Sequence, residues 1–261
     1  MGTVVIGQAL AAAQGSGRVW TARLGGALVL ALLPWAAQGD LLGQYDYTVM
    51  RDGEPIGTHQ VTVTPEGLDT KVEEKTDVKV SFGPVTLFHM EHLRDEIWHD
   101  GELESLTAHT NKNGDVYDIE ITREPSGYKR VINGRTDRFD PSVKPLTLWH
   151  EDLFKYSTFL SPMEDRTYKV SVDYVGTEKL DMIGRSVDAF IYRMSGDTNR
   201  EIWFDSDGLI MKVRLLDHSP NIEYVLSSVD QTSSKLAMER PEQPTIAAHP
   251  GSVARLAAAR R

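Results

Sequence analysis

Cysteine is missing from all 261 residues of the sequence. That absence excludes disulfides, thiolate nucleophiles, cysteine-ligated zinc, iron–sulfur clusters and a lipidated amino-terminal cysteine, since each needs a thiol. Positive charge is also scarce: 28 Lys and Arg stand against 38 Asp and Glu, a formal net charge of −10. Nucleic-acid binding relies on clustered Lys and Arg that displace counterions from phosphates, so no nucleic-acid partner is expected. The sequence has no Gly-x-Ser-x-Gly elbow, no helical His-Glu zinc motif and no twelve-residue calcium loop ending in a bidentate Glu. No catalytic residue is therefore assigned, no cofactor is called for, and a non-enzyme is expected. What is present, 40% hydrophobic and 25% charged residues, is the composition of an ordinary globular protein.

Both ends depart from the middle. Residues 1–39 hold Arg18 and Arg23, no acid, the apolar run Leu24 to Leu33, and then the small residues Ala36, Ala37 and Gly39. This is the layout of a secretory signal peptide cleaved near Gly39, which implies a periplasmic or secreted mature protein. The apolar run is about half of the roughly 20 residues that a spanning helix needs, so no transmembrane anchor is expected. Residues 232–261 are rich in Ala, Pro and Arg without an apolar period and read as a mobile tail. The two segments remove seven basic and two acidic side chains, leaving 21 basic and 36 acidic ones in 40–231, about −15 in all. Such acidity keeps an exported domain soluble and repels anionic headgroups.

Within 40–231 the apolar residues alternate with polar ones, the pattern of strands with one buried face. Tyr45, Tyr47 and Val49 alternate with Gln44, Asp46 and Thr48, and Val61 and Val63 follow the Asp52-Gly53 turn. Asp100-Gly101, Asn113-Gly114, Ser126-Gly127 and Asn133-Gly134 punctuate the next stretch. Strands joined by such short turns are antiparallel, because a parallel crossover takes a dozen or more residues. The pattern changes between Asp140 and Arg166, where Leu146, Trp149, Leu153, Tyr156 and Leu160 recur at helical spacing up to Pro162. The expected fold is thus a single, mainly β domain: a curved antiparallel meander of about a dozen strands, half-barrel or open barrel, with one short helix packed in its mouth.

Glu96-Ile97-Trp98 before Asp100-Gly101 is echoed by Glu201-Ile202-Trp203 before Asp205 to Gly208. The order of hairpin, long strands, Trp98-His99-Asp100-Gly101-Glu102-Leu103 turn, helical plug, then Ile183 to Phe190 and Trp203 to Leu209 resembles an uncharacterised family of exported proteobacterial proteins. More distantly it is similar to the lipoprotein-carrier type of periplasmic half-barrel. The resemblance implies a curved sheet whose hollow holds a helix or an apolar ligand, and it carries over no catalytic residue.

The densest polar cluster lies in the fourth strand. Alternation puts Phe88, Met90, His92, Arg94, Glu96 and Trp98 on one face and Leu87, His89, Glu91, Leu93 and Asp95 on the other. An aromatic end followed by a polar middle is what a small-molecule site in a curved sheet presents, so these six residues, with Trp149, are the candidate ligand contacts. His89 and His92 face opposite ways and do not share a metal. No metal site is assigned; the candidates, were there one, are His89 with Glu91, or His92 with a residue from elsewhere such as His109 or His150, since imidazole and carboxylate suit zinc or manganese. Carboxylate pairs such as Glu73/Glu74 and Asp205/Asp207 read as solvated charge and as a hairpin turn.

Two main functional readings follow. In the first, the domain is a non-catalytic binding or carrier protein for a lipid or other apolar or amphipathic molecule, oriented by Arg94, His92 or Glu96. In the second, it is an envelope interaction or assembly factor with a packed hollow, binding another protein through sheet edges or its tail. A metal-dependent hydrolase built on the histidine cluster is a third reading. An empty cavity favours the first and a filled one the second.

Overall fold

The computed structural model describes residues 42–147, 155–217 and 220–231. The expected signal peptide, the expected tail, Trp149, His150, Leu153 and Phe154 lie outside the described residues. Strand β1 (Gly43–Arg51) and the last strand, β15 (Ile222–Asp230), are both chain-terminal segments of the domain, and they pair side by side. Two arms run outward from this central pair. One continues through β2 (Glu54–Glu66), β3 (Asp69–Phe82), β4 (Val85–His99), β5 (Glu102–Lys112), β6 (Asp115–Glu124), β7 (Gly127–Ile132) and β8 (Arg135–Phe139). The other runs back through β14 (Ile210–Leu215), β13 (Arg200–Phe204), β12 (Arg185–Gly196), β11 (Thr167–Met182), β10 (Thr158–Leu160) and β9 (Val143–Pro145). Together they make one 15-stranded sheet. Every pairing is antiparallel except that of β9 with β10.

The turns follow from backbone sterics. Asp52-Gly53, Asp100-Gly101, Asn113-Gly114 and Asn133-Gly134 all carry positive φ at both residues, the geometry of two-residue hairpin turns whose twist matches that of the strands. Ile183-Gly184 does the same with a β-branched residue at φ 46°, a conformation such side chains rarely tolerate. Irregular pairings at Asp46/Tyr47, Ile97/Trp98, Tyr174/Gly176 and Trp203/Phe204 add local twist and curl the sheet.

That curl brings the two edges of the sheet together. The edge strands β8 and β9 are consecutive in the chain, joined only by residues 140–142, so their facing ends lie within about 14 Å. Side chains close what the ladder leaves open. Lys144 Nζ on β9 donates to Glu102 Oε2 at 2.9 Å and to the Tyr128 hydroxyl at 3.3 Å. Arg130 on β7 donates to Asp165 Oδ1 at 2.8 Å, reaching the loop between β10 and β11. The result is a nearly closed barrel-shaped sheet.

The alternation read from the sequence sorts the faces as expected. Tyr45, Tyr47, Val49, Val61, Val63 and Val72 are buried, together with Ile119, Ile121, Met194, Ile202, Val213 and Leu226 from the other strands. The helix expected from Leu146 to Leu160 requires correction at its end. Thr158–Leu160 is a strand pairing with Val143–Pro145 and Thr167–Lys169, because Phe159 and Leu160 gain both burial and backbone partners there. Residues 148–154, the middle of that segment, are not described, and no helix occurs among the described residues.

The echoed Glu-Ile-Trp segments are not equivalent. In β4, Glu96 and Trp98 share the buried face with His92 and Arg94. In β13 it is Arg200 and Ile202 that lie opposite Leu215 and Val213, whereas Trp203 lies opposite Lys212, whose Nζ sits 4.1 Å from the indole centroid. Two hairpins have used the same residues on opposite faces.

Candidate functional site

The barrel holds a partly open cavity of about 200 Å³. Its polar wall comes from the first arm. Tyr47, His59, Glu74, Thr76 and Arg94 line it from β1 to β4, placed by a register that sets Tyr47 opposite His59, His59 opposite Thr76, and Glu74 opposite Arg94. The second wall, from β14 and the turn before it, is apolar: Leu209, Ile210, Val213 and Leu215. Leu146 and the Ser161–Met163 stretch also line the cavity, the place where a packed helix was expected.

Arg94 is held between two carboxylates. Its Nη2 pairs with Glu74 Oε2, and its Nε lies 2.7 Å from Glu96 Oε1. Glu96 Oε2 in turn accepts the Trp98 indole N–H at 2.7 Å. Two histidines flank Glu74 Oε1, His92 Nε2 at 3.6 Å and His59 Nδ1 at 3.7 Å. Each is anchored to a threonine at 2.8 Å, His92 to Thr110 and His59 to Thr76. Burial works to raise the Glu74 carboxyl, but its neighbours, the Arg94 charge foremost, outweigh it and hold the group below the usual carboxylate range. Burial drives His59 below its ordinary value against the pull of Glu74, and lowers His92 to about 4. Both imidazoles are therefore neutral at pH 7.

The aromatic groups are arranged around His59. Tyr47 lies 5.4 Å away and Tyr224 meets it edge-on at 5.3 Å. Tyr47 donates its hydroxyl proton to the Ile210 carbonyl at 2.9 Å, tying the polar wall to the apolar one. Burial raises both phenols, Tyr224 to about 12, so both stay protonated hydrogen-bond donors.

Arg200 is the second cation on the cavity wall. It stands opposite Met194 and Leu215, and its Nη2 donates to Thr198 Oγ1 at 2.9 Å. Its Nε is sealed from solvent without a hydrogen-bond partner, and it forms no ion pair with any described residue. Burial pulls its pKa down, opposed by Tyr168, Tyr224 and Asp217, but a guanidinium remains charged at neutral pH.

Of the residues singled out in the sequence, Arg94 lines this cavity, and its charge is already neutralised. Phe88 and Met90 pack instead with Val49 and Val78, and Trp98 borders a small void beside Phe159 and Lys144. His92 and Glu96 are buried behind Arg94 as its support, and Trp149 is not described. Glu74 reads from the sequence as solvated charge, although its parity with Val72, Thr76 and Val78 places it inward. Nothing local in the sequence marks His59, Tyr224 or Arg200. Asp205 behaves as the turn residue expected, accepting the N–H groups of Asp207 at 3.0 Å and Leu209 at 2.9 Å.

The metal candidates divide. Leu93 is the residue opposite His109, so His109 lies on the face away from His92, where it meets Asp118 at 2.6 Å. His92 and His109 therefore do not converge, and His150 is not described. His89 and Glu91 do come together, with Asp77, on the outer face, their ligand atoms within 4.8 Å of one another. All three are open to solvent, and His89 lies 3.5 Å from Asp77.

No curated protein matches the chain. Among solved structures, it is similar to the crystal structure of a β-barrel-like protein of the domain of unknown function DUF1849 from Brucella abortus. The TM-score is 0.53 at 10% sequence identity, covering 72% of this chain and 95% of that one, a likeness of fold alone. The family described as Domain of unknown function (DUF6134) matches residues 47–227, and the chain belongs to that family.

Proposed function

We propose that this domain is an exported, non-catalytic binding or carrier protein for a small apolar or amphipathic molecule held inside the barrel. The observation that carries the reading is the cavity itself, about 200 Å³ with an apolar wall facing a polar one. An apolar cavity of roughly 150 Å³ in another protein stays dry and takes up benzene, so the size here suits a body of about ten non-hydrogen atoms. A whole lipid does not fit, although one end of an acyl chain would. The proposed export rests on the signal-like segment 1–39.

Native mass spectrometry of the full chain, purified from the cells that make it, tests the reading. A single bound molecule per chain is expected, of about 100–250 Da by the size argument above. It should disappear when Val213→Phe fills the apolar wall. A bare polypeptide that also fails to take up added toluene would overturn the proposal.

One observation favours the second reading, an envelope interaction factor. The β3–β4 hairpin outruns its neighbours, since β2 pairs only as far as Val78 and β5 only as far as Met90. Its tip exposes Phe82, Val85 and Leu87 at 80, 56 and 61%. Loss of co-purification with an envelope protein on Phe82→Asp, with cavity binding unchanged, would favour that reading over the carrier.

A further inference from the structure

The two arginines of the cavity wall differ in a way that bears on the ligand. Arg94 is balanced by Glu74 and Glu96. Arg200 has no carboxylate within ion-pair distance among the described residues, and its buried Nε has no acceptor. Arg200 lines the cavity, so a carboxylate bound there would meet a guanidinium charge that no described carboxylate pairs with, and burying such an unpaired charge costs free energy that the carboxylate would recover. The surrounding domain makes this more pointed. In a chain with ten more acidic than basic residues, carboxylates are abundant, yet none of the described ones lies within ion-pair distance of this arginine, and Asp217 acts on it only through its charge. The neighbours of Arg200 across the ladder are the apolar Met194 and Leu215, while Thr198 accepts from its Nη2 and the Tyr168 and Tyr224 phenols act on its charge. Tyr224 lines the same cavity with a protonated hydroxyl.

Resting on the carrier reading above, we propose that the ligand is an apolar monocarboxylate, its carboxylate on Arg200 and its hydrocarbon or aromatic body against Ile210 and Val213. One unpaired cation matches one negative charge. A dianionic phosphate monoester would bring a second charge into a cavity that already holds Glu74. The guanidinium fork suits a carboxylate because it can donate two parallel hydrogen bonds. Binding should accordingly depend on the charge of the head and not only on the size of the body.

Calorimetric titration of the full chain at pH 7 with phenylacetate and with phenylacetamide separates the two claims, since the probes share their shape and differ in charge. Phenylacetate is expected to bind at least tenfold more tightly. Arg200→Met should abolish that preference while leaving phenylacetamide affinity within about twofold. Arg200→Lys, which keeps the charge, should retain part of the preference and guards against misfolding of the Met variant. Equal or tighter binding of the amide to the wild-type chain would overturn the carboxylate inference and leave the carrier reading standing. Binding of neither probe to the wild-type chain would overturn both.

Discussion

Glu74 and Arg94 face each other across β3 and β4 inside the barrel, their side chains 9% and 5% exposed, and they form the ion pair around which the polar wall is organised. Arg94 also serves Glu96, so one guanidinium answers two carboxylates. This stoichiometry makes the two members of the pair unequal.

Removing Arg94 leaves two buried carboxylates, Glu74 and Glu96, without the cation they share, whereas removing the Glu74 charge leaves Arg94 still paired with Glu96. Arg94→Met is therefore expected to destabilise the domain by about 3–5 kcal/mol, and Glu74→Gln by about 1 kcal/mol. Urea denaturation of the two variants checks the order. Equal losses, or a greater loss for Glu74→Gln, would contradict the geometry.

The buried histidines give stability a pH dependence. His92 sits at about 4 in the folded domain against about 6.5 unfolded, so below pH 6.5 the unfolded chain takes up a proton that the folded one refuses. Stability is full above that point and declines as the pH falls toward 4. Between pH 7 and 5 this single group should remove about 2 kcal/mol. His92→Gln, which can still bond Thr110, is expected to flatten the decline by that amount, with His59 accounting for a further share. Parallel denaturation curves for wild type and variant across this range would rule out the assignment.

Closure of the barrel depends on side chains at the seam. Arg130 is buried and bridges β7 to Asp137 and Asp165, with the Phe139 ring 5.0 Å from its guanidinium carbon. Arg130→Met should cost about 2 kcal/mol, less than loss of a fully buried pair, because both aspartates can rehydrate. Amide hydrogen exchange should quicken first in β8, β9 and β10. Exchange that quickens uniformly would argue that the seam is not a separately opening unit.

The strands and turns were legible in the sequence because they are local. Each Asp-Gly or Asn-Gly dipeptide fixes two positive φ values, and the alternation of Tyr45, Tyr47 and Val49 or of Met90, His92 and Arg94 identifies a buried face. What was not legible depends on pairings between distant residues. Nothing in the sequence near Tyr47 or Leu226 announces that β1 and β15 lie side by side, so the two arms were read as one meander. The same gap hid which residues line the hollow. Arg200 and Tyr224 come from the far end of the chain, and their convergence with His59 and Glu74 exists only once the barrel has closed. Glu74 was the exception, since its strand parity was visible and only its acidity made it look solvated.

The carrier reading requires an apolar space inside the barrel able to accept a ligand. A crystal of the full chain, pressurised with xenon, tests it most directly, because xenon enters dry apolar cavities without needing a chemical handle. The expected result is xenon density against Val61, Ile210 and Val213, with the surrounding side chains unmoved. Side chains filling that space, with xenon elsewhere or nowhere, would contradict the claim and return the domain to the interaction-factor reading.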